Sequence, residues 1–253
     1  MNTIWIEPDW EALPAVRALV TTRAGGVSRG SYASLNLGTR TGDDPAHVAA
    51  NRARLAATER LPAEPLWLRQ VHGNRVLAAD EEFKSEPEAD AAVTSTPGRV
   101  LAVLTADCLS VFLAARDGSA VGVAHAGWRG LAVGVVEATL AAMPVPRDEI
   151  IAWLGPAISA AHYEVGADVH DAFADSPGVE RAFTASARPG HWFCDLAVLT
   201  RARLEAAGVG AVSGGEFCTF DERERFYSYR RDGETGRMAS LIWVEPDNAG
   251  NDA

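Results

Sequence analysis

Three cysteines in 253 residues, odd in number and widely spaced, do not make a disulfide framework. In a reducing compartment they stay thiols. None lies in a CxxC pair, and the six histidines form neither an HxH pair nor an HExxH run. The short zinc motifs are therefore absent. Walker and dinucleotide fingerprints are missing too, as are low-complexity tracts and internal repeats. Positive charge is in deficit, with 23 Lys+Arg against 34 Asp+Glu and a net charge of −11. Nucleic acid and anionic membranes need a basic face, so neither is an expected partner. The start MNTIWIEPDW has no basic region followed by an apolar core, and no apolar run is long enough to span a bilayer. Small molecules are the expected partners and the cytoplasm the expected address; the oligomeric state is left open.

With 47% hydrophobic residues, the chain can bury a large core, read here as one domain over 1–253 with a frayed tail at 246–253. Its centre is residues 100–129. Residues 100–105 are β-branched and apolar, suited to a buried strand that breaks at Asp107 and Cys108. Residues 111–115 and 120–124 flank the turn sequence Arg116, Asp117, Gly118, Ser119, and the expected hairpin delivers His125 near Cys108. Gly127 and Gly130 then bend the backbone into a helix expected over 131–143.

Earlier in the chain, residues 18–22 read as a strand that runs into the glycine-rich TTRAGGVSRGSYASLNLG. Backbone N–H groups around Gly25 and Gly26 have the composition of an anion nest, with Arg23 adding charge, although an ordinary turn explains the glycines equally well. Asp44 and Pro45 open a helix carrying Val48, Arg52 and Leu55 at helical spacing, with His47 solvated. Residues 66–70 are a strand candidate that ends at His72. A lone loop histidine is most often a structural hydrogen-bonder, so its meaning depends on its neighbours. Residues 79–89 are acidic and loop-like, and 90–94 resume strand character.

Later, 150–154 is a buried-strand run, followed by His162, Tyr163 and Glu164 as pocket candidates. Residues 166–173 suit a helix bearing His170 on its surface; neither His170 nor the loop residue His191 is given a role. Asp195 caps a helix over 196–207 with Gly208 as its stop, and Cys194 is read as a buried small apolar residue. Arg230, Arg231 and Arg237 cluster around a Gly233 turn before a closing strand at 239–244.

Two imidazoles and a thiolate, from His72, His125 and Cys108, make a plausible catalytic zinc set, since three protein ligands leave a fourth position open. Their spacing alone matches no short motif. A cysteine nucleophile at Cys108 with His125 as base fits the same two strand ends.

Six ordered blocks, TTRAGGVSRGSYASLNLG, QVHGNRV, LTADCLSVFL, VAHAGWRG, LGPAISAAHYEVG and CTFDERERFYSYRRDGETGRMASLIWV, resemble successive signatures of the YfiH family, formerly labelled polyphenol oxidase or multicopper laccase. They cover nearly the whole chain. Ser31 stands where proline is common and Tyr227 where phenylalanine is common, and neither touches a candidate ligand. The resemblance implies an α+β fold of mixed β-sheets with flanking helices, shared with cytotoxic-necrotizing-factor-like proteins. It also implies a metal, usually zinc, on His72, Cys108 and His125. The implied activity is phosphorolysis of adenosine, inosine and methylthioadenosine, with adenosine deamination as a second reaction. Arg23, Asn36, Asp107 and Arg129 fall in the matching blocks as candidates to surround substrate.

Phosphorolysis of an N-glycosidic bond brings a phosphate dianion to a sugar that develops positive charge. Arg129 and Arg23 are the expected phosphate holders, and Asp107 is expected to orient a ligand or move a proton. Deamination needs an activated water, which zinc chemistry supplies, but the deaminase pattern HxE with PCxxC is absent. The family has also been linked to editing of misincorporated serine in peptidoglycan precursors by amide cleavage, the competing hydrolase reading. A multicopper cluster needs many imidazoles in His-x-His pairs, which this chain lacks; copper remains conceivable as a substitute in a single site.

Overall fold

The computed structural model describes residues 5–10, 15–79, 83 and 85–246. Most of the acidic tip at 80–84 and all but the first residue of the tail at 246–253 lie outside the described residues.

The first strand, β1 (Val16–Val20), is followed by a long connection and α1 (Pro45–Glu59). Asp44 caps α1 as the sequence anticipates, its side chain accepting from the N–H of Ala46, with Pro45 at the first position. Strands β2 (Val76–Ala78), β3 (Ala91–Thr94), β4 (Leu101–Thr105), β5 (Leu109–Ala115) and β6 (Val121–Ala126) come next. Helices α2 (Trp128–Ala132) and α3 (Val135–Ala142) stand where one helix over 131–143 is expected. The break has a local cause: Gly134 sits at φ 87°, a left-handed conformation that ends one helix and redirects the next.

The second half runs β7 (Ile150–Leu154), β8 (Glu164–Gly166), α4 (Ala167–Asp171), α5 (Val179–Ala182), β9 (Phe183–Ala185), β10 (His191–Cys194), α6 (Leu196–Ala206), β11 (Ala211–Gly214), α7 (Tyr229–Asp232) and β12 (Met238–Val244). Asp195 caps α6 by accepting from the N–H of Val198. The helix expected over 166–173 is the shorter α4.

Among the described residues the strands form three sheets, in an α+β arrangement. Six strands pair in the order β11-β7-β5-β6-β3-β2, three in the order β1-β12-β4, and three in the order β8-β10-β9. The largest sheet is mixed: β11 with β7 and β2 with β3 are parallel, whereas β5 pairs antiparallel with both β6 and β7.

Side-chain alternation assigns the layers. Along β5, Leu109, Val111, Leu113 and Ala115 pack with Leu131, Val135 and Leu140 and with Leu199 and Leu204 of α6. The intervening Phe112 and Ala114 face Leu101, Val103, Met238 and Ile242 of the three-stranded sheet. The far side of that small sheet, through Ala239, Leu241 and Trp243, packs on Leu55 of α1 with Leu35 and Leu37. Strand β5 is thus covered on both faces, which is why its seven residues are continuously buried rather than alternating with polar ones. Polar atoms between the sheets are paired, as where the Ser240 hydroxyl donates to that of Ser110 at 2.9 Å.

Residues 66–70 are not a strand but a segment with single bridges at Leu66 and Arg69. The Gln70 side chain takes the ladder's place. Its Nε2 donates to the Leu104 carbonyl at 2.8 Å while its Oε1 accepts from the Leu104 N–H at 2.7 Å. That amide fixes the chain beside β4 just before the loop that carries His72.

Candidate metal centre

Ser110 and His125 are cross-strand partners on β5 and β6. Cys108 lies two residues before Ser110, so by strand parity it shares the face on which His125 projects. A tight backbone turn at Asp107, φ 93°, separates Cys108 from β4. Every part of Asp107 that can brace this turn is engaged. Its Oδ1 accepts from the Thr219 hydroxyl at 2.6 Å, its Oδ2 from the Arg230 N–H at 2.7 Å, and its carbonyl from the Ile158 N–H at 3.0 Å. These contacts offset the cost of a left-handed conformation at a residue with a side chain.

His72 is also left-handed, at φ 61°. Asp90 holds it. The buried Asp90 carboxylate accepts from the N–H groups of Val71 at 3.1 Å, His72 at 2.9 Å and Gly73 at 2.7 Å, and meets Nδ1 of His125 at 2.8 Å. One carboxylate thus ties the His72 loop to the His125 ring. With Nδ1 turned to an acceptor, the free nitrogen of His125 is Nε2. One donor atom from each of His72, Cys108 and His125 lies within 4.8 Å of the others, with Cys108 Sγ 3.8 Å from His72 Nε2.

Glycine allows α2 to begin against this cluster. A Cβ at position 127 would stand 2.8 Å from Cδ2 of His72 and 3.0 Å from Sγ of Cys108, and one at position 130 would meet the Gly73 carbonyl at 2.8 Å.

The electrostatics follow from the crowding. Burial alone would raise the Cys108 thiol, but the charge of His125 and hydrogen bonds to His125 and His72 outweigh it and bring the pKa down to about 6. Burial likewise opposes charging His125, yet the Cys108 thiolate and the Asp90 carboxylate lift it to about 9. Both shifts run in the direction that favours a thiolate beside a charged imidazole. A divalent cation would displace the imidazolium proton and find two imidazoles and a thiolate, a donor set that suits zinc or a single soft transition metal.

The cluster forms one wall of a cleft of about 540 Å³, within the usual range for small-molecule sites. Arg129, Arg230 and Arg237 line it with Trp128, Tyr163 and Tyr229. The Arg129 guanidinium lies 4.3 Å from the Trp128 ring centroid and has no side-chain hydrogen bond or ion pair among the described residues. Arg230 sits 5.1 Å from the Tyr163 ring and donates to the Glu164 carbonyl at 3.0 Å. Burial, with the charge of Cys108 behind it, holds the Tyr163 phenol protonated well above its ordinary range. Asp107 also lines the cleft, with both carboxylate oxygens already bonded.

Two expected substrate residues are placed elsewhere. Arg23 stacks on Tyr227 at 4.8 Å, donates to the carbonyls of Ala33 and Arg223, and borders a separate hollow with Ser31, Glu224 and Asp232. Nor do the neighbouring glycines make an anion nest: the Gly26 N–H goes to Ser34 Oγ at 3.1 Å and the Val27 N–H to Asn51 Oδ1 at 2.8 Å. Asn36 is fully buried. Its Oδ1 accepts from the N–H groups of Gly38 and Arg237, and its Nδ2 donates to Thr41 and Asp43. It braces residues 38–41 and Arg237, which do line the cleft, without reaching it. Asp90, conversely, reads in the sequence only as the start of a strand. Its one signal was a carboxylate opening an otherwise buried apolar run, where a charge needs a partner.

Comparison with known proteins agrees with this architecture. A family model described as multi-copper polyphenol oxidoreductase laccase matches residues 17–245. A Pseudomonas aeruginosa protein named purine nucleoside phosphorylase is 51% identical over 242 residues, covering 95% of this chain and 98% of its own. The Escherichia coli purine nucleoside phosphorylase YfiH is 47% identical over 240 residues, covering 94% and 98%. The crystal structure of a Neisseria meningitidis protein matches with a TM-score of 0.92 at 49% identity, over 96% of this chain and 100% of that one. YlmD from Geobacillus stearothermophilus matches at 0.88 and 31% identity, over 97% and 98%.

The donor chemistry does not suit several coppers. Beyond the two histidines of the cluster, His47 faces Asp43, His162 pairs with Asp221, His170 stacks on Trp192 and His191 faces the Pro189 carbonyl. No set of imidazoles for a trinuclear centre is left. With family match, relatives and solved structures all spanning nine-tenths or more of its length, the chain belongs to the YfiH family.

Proposed function

We propose that this protein is a purine nucleoside phosphorylase that holds one zinc ion on His72, Cys108 and His125 and cleaves adenosine, inosine and methylthioadenosine with phosphate, deaminating adenosine as a second reaction. The observation that carries this reading is the cleft: four arginines, Arg40, Arg129, Arg230 and Arg237, outnumber the lining carboxylates of Glu86 and Asp107 and gather with the rings of Trp128, Tyr163 and Tyr229 beside the ligand cluster, in a chain of net charge −11. An acidic protein that concentrates guanidinium groups in one cavity is built to attract an anion there. Relatives that share about half its residues carry the phosphorylase name.

The residues divide the work as follows. Arg129, without a polar partner among the described residues, takes phosphate oxygens by charge-assisted bonds. Arg230 and Arg237 add positive potential from the opposite segment of the chain. Trp128, Tyr163 and Tyr229 offer faces to a purine ring, and the neutral Tyr163 phenol offers an O–H donor. The phosphate oxygen forms a bond to the anomeric carbon as the bond from that carbon to the purine nitrogen breaks; the nitrogen keeps the electron pair and takes up the proton that hydrogen phosphate gives up, leaving the sugar 1-phosphate and the free base. Asp107 positions Cys108 rather than moving a proton, because both of its oxygens are committed. Bound zinc supplies Lewis acidity at the edge of this cleft.

A second reading has its own observation. His125 stands between Cys108 and Asp90, the order of nucleophile, base and orienting carboxylate in a cysteine hydrolase, and the thiol is already acidified. That arrangement suits amide cleavage, including the editing of peptidoglycan precursors. The two readings part on metal, because a zinc-held thiolate is much less free to attack a carbonyl.

The test incubates protein of defined metal content with each nucleoside, with and without phosphate, and identifies products by mass. Free base and the matching sugar 1-phosphate, ribose 1-phosphate from adenosine and inosine and its 5-methylthio analogue from methylthioadenosine, appear only when phosphate is present, and inosine appears from adenosine without it. Failure to cleave any nucleoside, together with amide hydrolysis by metal-free protein, overturns the phosphorylase reading in favour of the second.

A further inference from the structure

A second cluster of metal-capable side chains lies outside the His72–Cys108–His125 group. His162, Cys218 and Asp221 place one donor atom each within 4.8 Å of one another. The ring of His162 is held from two sides: it stacks on Phe220 with centroids 4.1 Å apart and planes 14° from parallel, and its Nε2 meets Asp221 Oδ1 at 2.6 Å. Cys218 is half-buried, and its thiol donates to the Ser159 hydroxyl at 3.1 Å.

The backbones that carry these groups are fixed relative to each other. Residues 157 and 218 form a β-bridge, with the Thr219 N–H donating to the Ala157 carbonyl at 2.9 Å. Arg231 clamps the second segment by donating to the carbonyls of Thr219 and Phe220, both at 2.8 Å. The donors therefore belong to two strapped segments and not to a freely moving loop.

We infer that His162, Cys218 and Asp221 form a second, peripheral zinc site. A neutral imidazole, a thiolate and a carboxylate together carry two negative charges, matching a divalent cation, and leave a fourth position for water. Small side-chain rotations suffice, since zinc bonds of about 2.0–2.3 Å place tetrahedral donors roughly 3.5 Å apart. Loading replaces the contact between His162 Nε2 and Asp221 Oδ1 and releases the proton that the Cys218 thiol donates to Ser159. The thiolate favours zinc over magnesium or calcium, which prefer oxygen.

The site's position gives it a consequence. One strapped segment leads to Ile158 and Tyr163 and the other to Arg230, all lining the cleft, while Thr219 next to Cys218 holds Asp107 at 2.6 Å. Zinc here cross-links two walls of the cleft without entering it.

The test uses the full chain and cobalt(II) as a spectroscopic stand-in for zinc. Cys108→Ser removes the thiolate of the first cluster, and Cys194 is wholly buried with its thiol pushed up to about 12, so Cys218 is the one thiol left to ligate. Cys108→Ser titrated with cobalt(II) should still show a thiolate-to-cobalt charge-transfer band, and adding Cys218→Ser should abolish it. No band in the first variant, or a band that survives in the second, overturns the assignment. Native protein should also bind two zinc ions per chain, falling to one in Cys218→Ser. His162→Ala should weaken the second ion by more than the about 10–100-fold that losing an outer-shell partner costs. As a check free of substitutions, excess zinc should slow alkylation of Cys218, read by peptide mass. Unchanged alkylation with zinc saturating the first cluster also refutes the site.

Discussion

Asp90 and His125 are joined twice: the Asp90 carboxylate meets Nδ1 of the ring at 2.8 Å, and the His125 N–H donates to the Asp90 carbonyl at 2.7 Å. The same carboxylate carries three N–H groups of the His72 loop. Both imidazoles therefore take their orientation from one residue. Asp90→Asn keeps the shape but replaces one acceptor oxygen with a donor that faces N–H groups. Metal affinity measured by chelator competition should fall about 10–100-fold. Unchanged affinity would show that the loop and ring are set by packing alone.

Cys108→Ser should lower metal content and nucleoside turnover together, because a hydroxyl is a far poorer soft ligand than a thiolate. Elemental analysis beside activity decides it. Full metal occupancy with activity lost would favour the cysteine-nucleophile reading.

Gly127→Ala tests how closely α2 approaches the ligands. Its Cβ would stand 2.8 Å from the His72 ring and 3.0 Å from Cys108 Sγ, so the ligand loop must shift. Metal content should drop while overall stability changes by about 1–3 kcal/mol, the usual cost of overpacking. Thermal unfolding with metal analysis separates the two effects. A variant that binds metal as tightly as the native protein would mean the loop yields without losing its geometry.

Strands and caps were legible where one local cause decided them. The hairpin of β5 and β6 follows from apolar runs around a turn, and Asp44, Pro45 and Asp195 mark helix starts through their own side chains. The helix over 131–143 divided because Gly134 takes a positive φ, which sequence periodicity does not register. Residues 66–70 have strand composition, yet the partner on β4 is the Gln70 side chain rather than a ladder. At the site, Cys108 and His125 could be paired from the hairpin, while His72 joined them only by ligand chemistry, because its spacing to the other two matches no short motif. Asp90 remained hidden because its partners lie 17, 18, 19 and 35 residues away in the chain. Arg23 and Asn36 show the opposite case: both lie in a matching block, yet neither lines the cleft. Their block supplies structure around the cleft, with Arg23 on Tyr227 and Asn36 behind Arg237, and motif membership does not distinguish support from contact.

Asp43 gives the supporting loop a pH dependence. Burial pushes its carboxyl up, but hydrogen bonds from Ser28 and Asn36 and from the Asp44 N–H prevail and hold its pKa below the ordinary value. A depressed folded pKa means that the stabilisation is fully present above the unfolded pKa of about 3.9 and is lost as the pH falls through the lower folded value. Asp43→Asn should therefore lower the melting temperature at neutral pH, with the gap to native protein closing in acid. A gap that stays constant down to the acid limit would assign the loss to shape rather than charge.

Arg129 separates phosphorolysis from the hydrolytic reactions. Its guanidinium lies on Trp128 at the cleft wall with no polar partner among the described residues, so it is available to an incoming anion. Arg129→Ala should raise the phosphate concentration needed for adenosine cleavage by at least about tenfold, corresponding to roughly 1.4 kcal/mol. Arg23→Ala should leave that requirement unchanged, since Arg23 borders a different hollow. Deamination of adenosine needs water and not phosphate, so its rate in Arg129→Ala reports folding and metal occupancy within the same protein. Equal loss of both reactions at normal metal content would give Arg129 a general substrate-binding role. A phosphate dependence that does not move would reject the phosphate assignment and leave Arg230 and Arg237 as the cations to test.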